Sequence, residues 1–265
     1  SAGLEMETYP YLCSETMTVN FEKMKAFLQK IPKRSPVCLQ ACAHNPTGSD
    51  LTKDQWHQIA ILFKERQLYA VFDIAYQGFA TGNLDQDAYP IRYFLSNLEQ
   101  YFCVCQSFAK NLGLYGERVG SLSLVCSSKS EAERYESKVK VIVRSLYSSC
   151  PKHGSEIVKL VLGSPRNFDL WEKDLRKISG RMFDMRAKLR SNLERLVPGK
   201  NFSHITDQIG MFCYTGLTAE NVEILEAKHS IYMAKSGRIS ISGLTEANVE
   251  KVAECFASVL LKSQT

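Results

Sequence analysis

Residues 37–74 constrain the fold more than any other stretch of this chain. Residues 37–42 and 69–74 are short apolar runs rich in strand-forming side chains. Between them, residues 52–66 place Trp56, Ile59, Ala60 and Phe63 at i, i+3, i+4 and i+7. That spacing lines one face of a helix, and Thr52 carries the side chain to cap it. A strand, a helix and a strand in about 35 residues form a βαβ unit, which implies a mostly parallel sheet flanked by helices on both faces. Residues 101–106 and 119–126 read as two more buried strands. The fold class is α/β.

The texture changes after Ser128. Residues 131–147 and 151–162 read as helices, and residues 167–196 as a longer one with an apolar stripe of Leu170, Leu175, Ile178, Met182, Met185 and Leu189. Pro198-Gly199 ends it. A strand at 211–214, a helix at 218–228, a short strand at 238–241 and a helix at 245–262 follow. This suits a second, smaller α/β domain. The expected organisation is a large domain over 1–166, a linking helix over 167–197 and a small domain over 198–265.

Thirty-three Lys and Arg against 28 Asp and Glu give a net charge of +5. The basic residues, including those at 181–190, alternate with apolar ones at helical spacing. They read as solvated helix faces, so no nucleic-acid partner is expected. No apolar run approaches the roughly 18–20 residues of a membrane span, so no membrane partner is expected. Nine cysteines without a Cys-x-x-Cys pair read as buried, reduced thiols of a cytoplasmic protein. Five scattered histidines give no metal site. The acidic start lacks a secretory signal and an initiator Met, and is expected to lie inside a longer chain.

Functional groups in an open α/β sheet gather at the C-terminal ends of its strands. Those ends read His44-Asn45-Pro46-Thr47-Gly48, Asp73-Ile74-Ala75-Tyr76 and Ser107-Phe108-Ala109-Lys110. Neither a nucleophile elbow nor a P-loop is present. The set suits a cofactor with a pyridinium nitrogen, a phenolic oxygen, an aldehyde and a phosphate. Residue by residue, ordinary readings compete: a solvated lysine, a cap at Asp73, a turn at Asn45, core packing at Tyr76 and a solvated charge at Arg144.

Taken together, residues 43–48, 73–80, 106–111, 113–120 (Gly-Leu-Tyr-Gly-Glu-Arg-Val-Gly) and 236–240 (Ser-Gly-Arg-Ile-Ser) resemble the cofactor motifs of aspartate aminotransferases, in family order and spacing. These are class I pyridoxal-phosphate-dependent aminotransferases, and the resemblance is to cytosolic-type members lacking their N-terminal portion. It implies a fold-type-I transferase with a partial large domain and pyridoxal 5'-phosphate as cofactor. It further implies transamination between aspartate or glutamate and 2-oxo acids, and a homodimer. Lys110 would form the Schiff base and shuttle the α-proton. Asp73 would pair with the ring nitrogen, and Asn45 and Tyr76 with the phenolic oxygen. Ser107 and Arg118 would hold the phosphate. Arg238 would clamp the substrate α-carboxylate, and Arg144 the distal carboxylate across the dimer interface. A cis bond is expected at Asn45-Pro46.

The sequence departs from the family at Ala109, which stands for a serine, and at Ser149-Cys150, which stand for Asn-Pro. The family's N-terminal phosphate-binding turn, stacked aromatic and partner-subunit tyrosine find no match. A non-catalytic or truncated relative, and racemisation or decarboxylation on the same residues, remain open readings.

Overall fold

A computed structural model describes residues 3, 5–98 and 101–262, the last by its backbone alone. The outermost residues of the segments expected at 1–166 and 198–265 lie outside this range. The first part of the chain runs α1 (Phe21–Leu28), β1 (Pro36–Gln40), α2 (Lys53–Arg66), β2 (Tyr69–Ile74), α3 (Leu84–Asp87), α4 (Tyr89–Asn97), β3 (Phe102–Ser107) and β4 (Gly120–Val125). The second runs α5 (Lys129–Leu146), α6 (His153–Leu162), α7 (Pro165–Leu196), α8 (His204–Asp207), β5 (Phe212–Tyr214), α9 (Ala219–His229), β6 (Arg238–Ser240) and α10 (Val249–Lys262).

Thr52 caps α2 in a reciprocal box: its hydroxyl accepts from Gln55 N, and the Gln55 side chain accepts from Thr52 N. Trp56, Ile59, Ala60 and Phe63 are all buried. They pack with Phe72, Phe94 and Phe102, whose rings meet edge to face at centroid distances of 4.9 Å (Phe72–Phe94) and 5.8 Å (Phe72–Phe102). Burying one such ring contributes about 1.5–3 kcal/mol, so this cluster anchors α2 and α4 to one face of the sheet.

The sheet has the order β1-β2-β3-β4. Its first three strands are parallel, and β4 runs antiparallel to β3. Two expectations change here. Among the described residues the sheet is not fully covered on both faces, because Cys38 and Cys105 are exposed opposite the aromatic cluster. Nor is β4 buried: among the described residues it is an edge strand paired only with β3, and Leu122 is 54% exposed. The thiols divide accordingly, with Cys42, Cys103, Cys213 and Cys255 buried and Cys38, Cys105 and Cys150 exposed.

Helix α7 runs for 32 residues and buries Leu175, Met182, Met185, Leu189 and Leu193. Leu170 and Ile178, expected in the same stripe, are exposed. The loop after β2 packs Gly78 on Leu175 and Gly82 on Ser179, and this cover stops short of both residues. The reading of residues 181–190 as a solvated face also fails at Arg186, which is 1% exposed. Strands β5 and β6 form a separate antiparallel pair that places Arg238 opposite Tyr214.

Candidate active site

Three loops leave the C-terminal ends of β1, β2 and β3, and each is held by side chains that grip its backbone. After β1, Gln40 bonds Asn45 twice: its amide donates to Asn45 O (2.7 Å) and its Oε1 accepts from Asn45 N (2.7 Å). Asp50 accepts from Ala43 N (2.6 Å) and His44 N (2.8 Å). The Asn45-Pro46 peptide between these clamps is cis. After β2, the buried Asp87 accepts from Gly78 N (2.7 Å), Ala80 N (3.2 Å), Thr81 N (3.0 Å) and Thr81 Oγ1 (2.6 Å).

The turn after β3 is tied to its neighbours by neutral groups. Asn111 donates to Gln77 O (3.3 Å), Gln106 donates to Gln77 Oε1 (2.7 Å), and Trp171 Nε1 of α7 donates to Asn111 O (2.7 Å). Lys110 therefore sits on a turn fixed to the Tyr76 loop and to α7.

Within this frame five of the expected residues come together. Lys110 Nζ lies 5.2 Å from the Tyr76 ring centroid and 6.0 Å from that of Tyr115. Burial raises the Asp73 pKa, and the nearby positive charge of Lys110 pulls it down. Asn45 Nδ2 donates to Tyr76 Oη (3.3 Å), and Arg238 Nη1 donates to Asn45 Oδ1 (3.1 Å). Burial also raises the Tyr76 pKa, aided by Tyr115 and Asp73, while Arg238 and the Asn45 bond oppose it. Tyr76 is thus a phenol, and because its oxygen accepts from Asn45, its own hydrogen is free to donate.

None of the hydrogen bonds described here ties the other three to these five. Ser107 Oγ accepts from Ala109 N (3.2 Å). Arg118 is exposed and donates to Tyr115 O (3.0 Å). Arg144 is exposed on α5, a helix with no buried residue.

Sequence reasoning missed the supporting residues. Phe212 of β5 lies 4.5 Å from the Arg238 guanidinium and meets Tyr76 edge to face at 5.8 Å. His44 stacks on Tyr11 with centroids 3.9 Å apart and shares a 2.9 Å bond with Thr47 Oγ1, and burial lowers its pKa to about 4. Asp50 and Asp87 look like any surface acid in the sequence, so no local signal marks them. Among the described residues no His, Cys, Asp and Glu group could hold a metal, and no helix is long and apolar enough to cross a membrane.

The family described as aminotransferase class I and II matches residues 1–256, and the chain belongs to that family. It is 43% identical over 260 residues to the mitochondrial aspartate aminotransferase of Gallus gallus, covering 97% of this chain and 61% of that protein. A mitochondrial aspartate aminotransferase structure from Trypanosoma brucei has a TM-score of 0.94 at 40% identity, covering 97% of this chain and 68% of that one. An aromatic-amino-acid aminotransferase from Burkholderia pseudomallei, covalently bound to pyridoxal phosphate, has a TM-score of 0.95 at 40% identity, covering 98% and 64%.

The mitochondrial relatives overturn the expected cytosolic type and cytoplasmic location. The motifs that carry the resemblance belong to shared site chemistry, and reduced thiols do not separate one reducing compartment from another. The chain spans about 61% of the length of the Gallus gallus relative.

Proposed function

We propose that this chain carries the cofactor and substrate groups of a pyridoxal-phosphate-dependent transaminase that exchanges the amino group of aspartate or glutamate with a 2-oxo acid. The observation that supports this best is the linked set Lys110–Tyr76–Asn45–Arg238, with Asp73 close enough to feel the Lys110 charge. The donor set fits the cofactor: an amine for its aldehyde, a half-buried carboxylate for its ring nitrogen, and a free phenolic hydrogen for its ring oxygen. When bound, pyridoxal phosphate supplies an electron sink for charge developing at the substrate α-carbon.

The chain's own residues do the rest. Lys110 Nζ would hold the cofactor through its aldehyde and would carry the substrate α-proton. Asp73 keeps a proton on the ring nitrogen by charge. Tyr76 and Asn45 orient the ring through its oxygen. Ser107 and Arg118 hold the phosphate, and Arg118 keeps N–H groups free for it beyond the one given to Tyr115. Arg238 has Nη1 on Asn45 and its remaining donors available for the α-carboxylate.

Arg144 acts across the interface of a homodimer, on the distal carboxylate of the substrate bound by the neighbouring subunit. Exposed Val141, Ile142, Leu146 and Tyr147 around it support a surface that a second copy covers. The domain reading follows from the same picture: residues 1–166 carry the cofactor, 167–197 link, and 198–265 bring Arg238 to the site.

Adding pyridoxal phosphate to the purified chain should give the visible absorbance of a lysine-bound chromophore, absent in Lys110→Ala. Aspartate plus 2-oxoglutarate should then give oxaloacetate. A chain without the band would support the second reading, a non-catalytic relative, which Ala109 favours by removing a hydroxyl beside Lys110. A band without oxaloacetate would count against transamination.

A further inference from the structure

Arg186 on α7 is 1% exposed, and among the described residues no carboxylate pairs with it. Its guanidinium instead donates to three main-chain oxygens: Nη1 to Ile205 O (2.8 Å), and Nη2 to Gly210 O (3.0 Å) and Phe212 O (2.6 Å). A buried charge without a counter-ion is costly, and an apolar side chain of similar size avoids that cost. What the charge achieves is therefore found in the segment it holds.

That segment, residues 205–212, touches the site twice. Ile209 N donates to Gly48 O (2.8 Å). Gly210, at φ +81°, packs so tightly on the Asn45 loop that a Cβ would fall 2.5 Å from Ala43 Cβ. Two residues on, the Phe212 ring lies under the Arg238 guanidinium and against Tyr76. Arg238 then closes the circuit on Asn45.

We infer that Arg186 is a positioning residue: through Phe212 it sets the guanidinium of Arg238 for a carboxylate ligand. This rests on the reading of Arg238 as the carboxylate clamp. Lysine cannot substitute, because a single ammonium lacks the planar fork that spans three carbonyls.

The test is side-chain ¹⁵N NMR of the arginine Nε–H groups in the full chain, with succinate as the titrated dicarboxylate and no cofactor required. Arg238 is assigned by its loss in Arg238→Lys. In the parent its signal is expected to carry a ring-current shift from Phe212 and to respond to succinate. In Arg186→Lys the ring-current shift should shrink and succinate should bind about tenfold more weakly, the scale of a misaligned charged hydrogen bond. Phe212→Leu spares the Arg186 bonds and should weaken succinate to a similar degree, with the double variant no weaker than either single one.

A folded Arg186→Lys chain with the parent's Arg238 signal and succinate affinity overturns the inference, as do additive losses in the double variant. If Arg186→Lys does not fold, Phe212→Leu decides: succinate binding equal to the parent's overturns it. A parent whose Arg238 ignores succinate sinks the clamp reading instead, and the Arg238 shift in Arg186→Lys still judges the positioning role.

Discussion

Asp87→Asn isolates how the Tyr76 loop is held. The carboxylate is 2% exposed, and its two oxygens divide four donors: Oδ2 takes Gly78 N and Ala80 N, and Oδ1 takes Thr81 N and Thr81 Oγ1. Asparagine keeps the size but turns one acceptor into an amide donor. Its better flip turns the amide N–H groups toward Thr81, whose hydroxyl can rotate to accept one, so that only Thr81 N is left without an acceptor. Each unsatisfied buried donor costs about 1–3 kcal/mol. Against this stands a gain, since burial raises the Asp87 pKa despite its hydrogen bonds, so the charge itself is disfavoured there. The bonds win because Thr81 N is left facing a donor, leaving a net cost of about 1–2 kcal/mol. For a chain of this size that lowers the thermal midpoint by about 2–8 °C. Circular dichroism melts of parent and variant read it directly. A variant with the parent's midpoint would refute the claim that Asp87 holds this loop.

Two further outcomes follow from the same loops. Burial raises the Asp50 pKa from 3.8 to about 7, so its folded value lies above its unfolded one. The stability it contributes is complete below about pH 4 and is lost as pH rises through 7. His44 runs the other way: its folded pKa of about 4 lies below 6.5, so its contribution is lost as pH falls from 6.5 to 4. The two nearly cancel in the parent. Asp50→Asn should unmask the His44 slope, a loss of about 3 kcal/mol between pH 6.5 and 4, read by urea unfolding at several pH values; a flat profile would contradict it. Gly48→Ala should destabilise the chain by about 1–3 kcal/mol, because φ is +69° and a Cβ would sit 2.6 Å from Phe212 O. Urea unfolding checks this too, and an unchanged midpoint would show that the two loops separate freely.

What was legible in the sequence was what local pattern controls. The α2 stripe and cap lie within fifteen residues of each other, so spacing alone revealed them. The chemical residues at strand ends were legible because an amine, an acid and an amide are unusual where apolar strands stop. Cover from distant parts of the chain was not legible. The apolar alternation of β4 reads as a buried strand, yet nothing in the described residues packs over Leu122. Leu170 fits the α7 stripe, but the loop that covers Leu175 does not reach it. Arg186 lies among basic residues at surface-like spacing, and its partners are carbonyls 19 to 26 residues away. A backbone carbonyl leaves no mark in a sequence.

The same contrast explains how the site is built. Among the described residues, three of its segments are held by buried ionisable side chains: the Asn45 loop by Asp50, the Tyr76 loop by Asp87, and the segment bearing Phe212 by Arg186. Only the turn bearing Lys110 is held by neutral groups, namely Gln77, Gln106, Asn111 and Trp171. A carboxylate holding that turn would favour a lysine's charged ammonium, which is not nucleophilic. Amides and an indole N–H fix the backbone equally well without that bias. The Lys110 charge acts on Asp73, whose proposed partner is the cofactor's ring nitrogen, so cofactor binding would draw its charge away from the lysine. In this arrangement, among the described residues, no carboxylate bonds the turn that bears the proposed reactive amine.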